Sequence, residues 1–183
     1  MRLLLVEDDE ILGDGLVAGL KMEGYAVDWL TNGKLANEAL KLNSYELIVL
    51  LSYCKDLREP KQLSLLHCDY IGRNLLATSC NKISGVLDFE AARIGDAVYD
   101  LAKMVWVDID FSDLELRNAF LQGWEITYGE EVPQREFLCY VGIQCLAAIA
   151  WTDKNAPIEG NTIFRASAIR ALRIVLNELR TGF

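Results

Sequence analysis

His67–Met104, HCDYIGRNLLATSCNKISGVLDFEAARIGDAVYDLAKM, is the stretch on which the reading of this chain turns. It sets three polar residues, Asp69, Asn74 and Asp88, in otherwise apolar surroundings. Asp69 and Asn74 stand five apart with Gly72 between them, so one tight loop can carry both, glycine tolerating the positive φ that such turns often need. Asp88 follows two apolar runs, Leu75-Leu76-Ala77 and Ile83 to Leu87, which are separated by the polar turn Thr78 to Lys82. A hairpin of those runs returns Asp88 to the mouth of the Asp69 loop. Asp and Asn commonly serve as caps and turn formers; three of them converging is more typical of a site than of a core.

Phosphoryl transfer asks for such a set: a carboxylate to orient or deprotonate the attacking hydroxyl, and oxygen ligands to hold Mg²⁺ against nucleotide phosphates. The order His-x-Asp-x-x-x-x-Asn from His67, then Leu-Asp-Phe-Glu from Leu87, then Gly-Asp-x-x-Tyr-Asp-Leu-Ala from Gly95 resembles the catalytic half of the aminoglycoside phosphotransferase family. That family shares the protein-kinase fold and its catalytic-loop logic. The resemblance covers residues 63–183 and implies a mainly α, kinase-like C-lobe with an embedded β-hairpin. It implies Asp69 as the catalytic base, Asn74 and Asp88 as Mg²⁺ ligands, and His67 as the brace of the loop. Asp96 and Asp100 fall on the family's supporting positions, ATP is the implied phosphoryl donor, and the acceptor is a hydroxyl of a small molecule such as an amino sugar. Cys68 stands where the family usually has Gly, and Ala97 where it usually has Pro.

The chain begins differently. Residues 2–6, Arg-Leu-Leu-Leu-Val, form an apolar run ending at Glu7-Asp8-Asp9, consistent with a buried parallel strand. Helical spacing of Ile11, Leu12, Leu16, Val17 and Leu20 follows to Glu23, and Gly24 ends it. Tyr25 to Trp29 then reads as a strand, Lys34 to Leu42 as a helix and Glu46 to Leu51 as a third strand. This is an α/β segment, βαβαβ with a parallel sheet. The pieces Leu-Leu-Val-Glu-Asp-Asp-Glu, Gly-Asp-Gly-Leu, Gly-Tyr-x-Val-Asp and Tyr-Glu-Leu-Ile-Val-Leu resemble the start of a response-regulator receiver. In that family an acidic pair, here Asp8 and Asp9, helps bind Mg²⁺, and an Asp at the end of the third strand accepts phosphoryl; Leu51 occupies that place. The pair is a candidate weak divalent site.

Three segments result: a partial receiver-like segment at 1–51, a polar join at 52–62 and the phosphotransferase-like C-lobe at 63–183. Within the last, Phe89 to Ile94 reads as a loop, and Asp96 is placed to cap a helix running to about Val107. Further helices are expected from Ser112 to Tyr128, with Leu114, Phe120, Leu121 and Trp124 as buried candidates, from Pro133, and from Thr162 to Arg180. Apolar stripes on the later helices are core.

Composition sets bounds on function. With 183 residues and 52% hydrophobic content the chain can bury a core of one or two small domains. Its formal charge of −9 and pI near 4.7 disfavour nucleic acid or an anionic membrane as partner and suit a cationic small molecule. Asp108, Asp110, Asp113, Glu115, Glu130 and Glu131 are candidates for such a surface. Five cysteines without a Cys-x-x-Cys pair suggest neither a disulfide framework nor a zinc knuckle. Four apolar residues after Arg2 are too few for a signal peptide, so the expected location is cytoplasmic.

A kinase-type enzyme also needs a lysine from a strand on the nucleotide phosphates. Lys21, Lys34 and Lys41 fall on expected helices, and the receiver-like segment stands where the nucleotide lobe belongs. A partner chain or a homo-oligomer is left to supply that lobe. The alternative is a non-catalytic fusion, or a receiver-like signalling module without its phospho-acceptor.

Overall fold

A computed structural model describes residues 2–22, 24–43, 47–50, 54, 57–80, 82–154 and 160–182. The chain divides into two compact units, Met1–Leu57 and Arg58–Phe183.

In the first unit the order is strand, helix, strand, helix, strand: β1 Arg2–Val6, α1 Glu10–Met22, β2 Ala26–Leu30, α2 Gly33–Leu42 and β3 Leu47–Leu50. The sheet order is β2-β1-β3 with both pairings parallel, Leu3 standing opposite Val27 on one side and Leu47 on the other. A central strand covered on both faces has to be apolar throughout. Leu3, Leu4, Leu5 and Val6 are accordingly buried. Leu4 and Val6 form a small core with Ala36 of α2, against which Leu30 and Leu40 pack.

Both helices begin with side-chain caps. Asp9 Oδ1 accepts the N–H groups of Ile11 and Leu12, each at 3.0 Å, and Asn32 accepts that of Leu35 at 3.0 Å. Gly24, at φ +85°, follows α1 in the left-handed conformation that suits glycine. Gly13 is buried under Trp29, whose ring occupies the space a Cβ would need, and the indole N–H donates to Glu7 O at 2.8 Å. The helical spacing overstates burial in α1: Ile11 is 89% exposed and Leu12 47%. Glu46 and Leu51, at the ends of the expected third strand, lie outside the described residues, as do Ser52, Tyr53, Lys55 and Asp56 of the join.

Among its described residues the second unit contains two antiparallel ribbons and four α-helices: β4 Ser64–Leu66, β5 Leu75–Ala77, β6 Ile83–Val86, β7 Arg93–Gly95, α3 Val98–Asp108, α4 Leu114–Tyr128, α5 Gln134–Lys154 and α6 Asn161–Thr181. The hairpin is present, with Leu75 opposite Val86 and a register shift between Leu76 and Ala77. The expected loop from Phe89 to Ile94 is corrected in part, because Arg93 and Ile94 enter β7, which pairs with β4. Three residues with a central Ile flanked by Arg and Gly are too short to show alternation.

The core lies among α3, α5 and α6, where Val105, Phe137, Leu138, Val141, Cys145, Ile149, Ala168, Leu172 and Val175 are buried. Gln144 is buried there too; it accepts from Trp106 Nε1 at 2.9 Å and donates to Tyr99 O at 2.8 Å, so α3 and α5 are pinned by one satisfied amide. In α4, capped by Asp113, only Leu121 of the four expected buried residues is buried; Leu114 and Phe120 are exposed and Trp124 is half-buried. Arg117 takes the inward position instead, paired with Glu178 of α6 at 2.9 Å and lying over the Phe111 ring. Pro133 precedes α5, its carbonyl accepting Phe137 N–H at 2.9 Å.

Candidate functional site

The loop from His67 to Asn74 follows β4, and its backbone is tied to α3 at three points. His67 N–H and Cys68 N–H donate to the two carboxylate oxygens of Asp100, at 2.7 and 2.8 Å. Gly72 N–H donates to Asp108 Oδ2 at 2.7 Å. Asp100 opens α3 and Asp108 closes it, so one helix frames the loop from both ends.

His67 clips the loop to the hairpin. Its Nε2 lies 2.7 Å from Leu87 O, and its Nδ1 accepts Asp69 N–H at 3.2 Å. A carbonyl only accepts and an amide N–H only donates, so this network fits the neutral ring protonated on Nε2. The imidazole is buried, with Phe89 tilted against it at 4.6 Å between ring centroids. Leu87 N–H donates to Asn74 O at 2.8 Å. The residue before Asp88 is thereby bound to both ends of the loop.

Asn74 ends a short 3₁₀ turn, Gly72–Asn74, and is buried. Its Nδ2 donates to Asp69 O at 2.9 Å and Asp69 Oδ2 at 3.1 Å. With the amino end of the amide so engaged, Oδ1 is the end left for a cation. Asp88 is exposed and held at φ +67°. Cys68 has φ +66°, which accounts for glycine at this place in the resembled family. These are the two described non-glycine residues at positive φ, and they flank the same site, where such strain tends to concentrate.

Asp69 carries two cations. Arg73 Nη2 lies 3.0 Å from Oδ2 and Lys103 Nζ 3.3 Å from Oδ1. Burial works to raise its pKa, but the hydrogen bond from Arg73 and the charge of Lys103 outweigh it and hold the carboxyl below its usual range. Behind the loop, Asp96 Oδ1 accepts Val98 N–H at 3.0 Å and Oδ2 accepts from Tyr140 Oη at 3.4 Å. Asp96 thus sits one residue before the cap position, which Ala97 occupies without a side-chain bond. Burial, and then the charge of Asp96, push the Tyr140 hydroxyl up to about 12.

Asn74 Oδ1 and the Asp88 carboxylate are hard oxygen donors, the type Mg²⁺ takes, and a two-donor set suits an ion that keeps waters and substrate phosphates as its other ligands. Among the described residues no group of three His, Cys, Asp or Glu side chains could hold a metal. Asp9, half of the second candidate ion site, spends Oδ1 on capping α1.

Several acids of the surface expected to meet a cationic substrate are likewise engaged locally. Asp108 holds Gly72, Asp110 bonds Ser112, which lowers its pKa, Asp113 caps α4 and Glu130 pairs with Lys61 at 3.0 Å. Glu115 lines an open cleft of about 580 Å³ together with Glu125 and Gln134.

Lys103, Arg73 and Asp108 are site residues that the motif reading passes over. For Lys103 and Asp108 a signal exists. At 100° per residue, positions 100, 103 and 108 fall on one side of α3, and they are polar interruptions in an otherwise apolar helix.

Comparison with known proteins places these observations. The family model described as the phosphotransferase enzyme family matches residues 14–138. In structure the chain is similar to a choline/ethanolamine kinase family protein from Mesorhizobium loti, with a TM-score of 0.55 at 15% identity, covering 97% of this chain and 59% of that one. The N-terminal part is homologous to response regulators. It is 52% identical over 50 residues to response regulator protein PmrA of Pseudomonas aeruginosa, 27% of this chain and 23% of that protein. It is 48% identical over 61 residues to transcriptional regulatory protein QseB of Haemophilus influenzae, 33% of this chain and 25% of that protein. The chain therefore spans about a quarter of the length of these regulators. Among the described residues no helix is long and apolar enough to cross a membrane.

Proposed function

The chain belongs to the phosphotransferase enzyme family, and from that premise we propose that it transfers the γ-phosphoryl group of ATP to a hydroxyl of a small molecule. One observation carries the reading. The Asp69 carboxylate, the Asn74 amide and the backbone leading to Asp88 are joined in a single hydrogen-bond network through His67 and Leu87.

Asp69 is the catalytic base. It orients the acceptor hydroxyl and takes its proton as the oxygen–phosphorus bond forms and the bond to the ADP oxygen breaks. Asn74 and Asp88 hold Mg²⁺, which when bound neutralises charge on the phosphates. His67 braces the loop, and Asp100 and Asp96 support it from α3 and the turn before it. The acceptor is a cationic small molecule, in keeping with the net charge of −9. Neither nucleic acid nor a membrane is proposed as partner, and the proposed location is the cytoplasm.

The receiver-like unit stands in place of a nucleotide lobe, and its described lysines lie on helices rather than strands, Lys21 on α1 and Lys34 and Lys41 on α2. A partner chain or a second copy is proposed to supply that lobe. Calorimetry of the full chain with Mg²⁺ and a non-hydrolysable ATP analogue tests the proposal. Saturable binding that needs Mg²⁺ and is lost in Asn74→Ala and Asp88→Ala supports it; no heat of binding in the wild type sinks it.

A second reading rests on the identity with response regulators over 50 residues, joined to Leu51 where a receiver carries its acceptor Asp. The chain is then a non-catalytic fusion or a receiver-like signalling module. A receiver-like module that keeps its divalent site should in that case shift amide resonances near Asp8 and Asp9 on addition of Mg²⁺; unchanged spectra count against it.

A further inference from the structure

The two cations on Asp69 are not equivalent. The Arg73 side chain is 74% exposed, and it shares Oδ2 with the Asn74 amide. The Lys103 side chain is 20% exposed, its ammonium lies 5.9 Å from the Trp106 ring centre, and among the described residues it is the ion-pair partner of Oδ1. An ammonium has three donors, and one of them suffices for Oδ1.

Transfer to a hydroxyl held by Asp69 brings the phosphorus to about 3–3.5 Å from the hydroxyl oxygen, and so draws the phosphate oxyanions toward a carboxylate that repels them. A compact cation between the two removes that repulsion, and lysine serves phosphate as such a point charge. The other described lysines of this unit lie elsewhere: Lys61 pairs with Glu130, Lys82 sits in the hairpin turn and Lys154 ends α5.

We propose that Lys103 is a phosphate-binding residue, its ammonium bridging Asp69 Oδ1 and an oxyanion of the phosphoryl donor, so that α3 supplies a cation ordinarily brought by the nucleotide lobe. The inference rests on the reading of Asp69 as the residue that receives the hydroxyl. It gives α3 a second task. Besides framing the loop through Asp100 and Asp108, the helix charges the site from within the same unit.

The test is binding of tripolyphosphate with Mg²⁺ to the full chain, by calorimetry and ³¹P line broadening, in wild type, Lys103→Met, Lys103→Gln, Lys103→Arg and Arg73→Gln. Thermal melts report folding of each variant, and Lys103→Arg serves if the neutral variants are unfolded. Loss of one charge-assisted hydrogen bond is expected to weaken binding about tenfold or more in the neutral variants. Lys103→Arg is expected to recover most of it, with affinity not tracking melting temperature. The inference is overturned if the neutral variants bind as wild type does, if the loss is carried by Arg73→Gln, or if wild type binds no tripolyphosphate. Turnover with Lys103-independent binding overturns this inference and leaves the phosphotransferase reading standing. Lys103-dependent binding without turnover does the reverse.

Discussion

Replacing Asp100 with Asn should loosen the His67–Asn74 loop by an amount that the geometry allows to be worked out. The carboxylate accepts His67 N–H at 2.7 Å and Cys68 N–H at 2.8 Å, one on each oxygen. Hydrogen bonds to a charged acceptor contribute roughly 1.5–3 kcal/mol net, and neutral ones roughly 0.5–1.5. Asparagine keeps one oxygen, now neutral, and sets an amide donor against the other N–H. One charged bond is lost and the second is weakened, a total of about 2–4 kcal/mol; half-burial of Asp100 brings the expectation to about 2–3. Urea denaturation followed by tryptophan fluorescence in a Trp29→Phe background reports the second unit alone, since Trp106, Trp124 and Trp151 all lie in it. With a slope of roughly 2 kcal/mol per molar urea, the midpoint should fall by about 1–1.5 M. Amide exchange at His67 and Cys68 should quicken in the same variant. A midpoint shift under about 0.25 M, or unchanged exchange at those two amides, would refute the claim that Asp100 holds the loop.

Cys68→Gly should stabilise the second unit by about 0.5–1 kcal/mol, because a Cβ at φ +66° costs roughly 1–2 kcal/mol and glycine returns about 0.5–1 of that as chain entropy; a lower urea midpoint contradicts it. Gly13→Ala should displace the Trp29 ring and cost the first unit about 1–3 kcal/mol, seen as a shift in Trp29 emission, and an unchanged spectrum refutes it. Burial pushes the Cys145 thiol up to about 12, so at pH 8 only about one molecule in 10⁴ carries the reactive thiolate. Exposed Cys80 should therefore be alkylated first, with buried Cys139 and Cys145 modified only after unfolding; peptide mapping that finds Cys145 labelled early in the folded protein contradicts this.

The extent to which the sequence was legible follows from how local each signal is. The hairpin and the Asp69–Asn74 loop are specified by residues within a few positions of one another, and the structure brings His67, Asp69, Asn74 and Leu87 into one network. The fully apolar β1 likewise declares a buried central strand. Strand β7 escaped because three residues carry no periodicity and its pairing with β4 spans nearly thirty positions. Lys103 and Asp108 escaped because their roles depend on which side of α3 meets the loop, a tertiary matter. In α4 the apolar residues suggested a buried stripe, but Arg117 faces inward with Glu178, and Leu114 and Phe120 stay in solvent. The acidic run after α3 invited a substrate surface, whereas several of its carboxylates are used as local caps, the commoner fate of Asp at a helix start.

The central claim is that Asp69 serves phosphoryl transfer in this chain. The most direct measurement is ³¹P NMR of the full chain with ATP, Mg²⁺ and a panel of amino-sugar hydroxyl acceptors, run beside Asp69→Asn. ADP and a new phosphomonoester signal are expected in equal amounts from the wild type, and neither above background from the variant. ATP that persists as in buffer alone for the wild type, or equal turnover by Asp69→Asn, would contradict the claim.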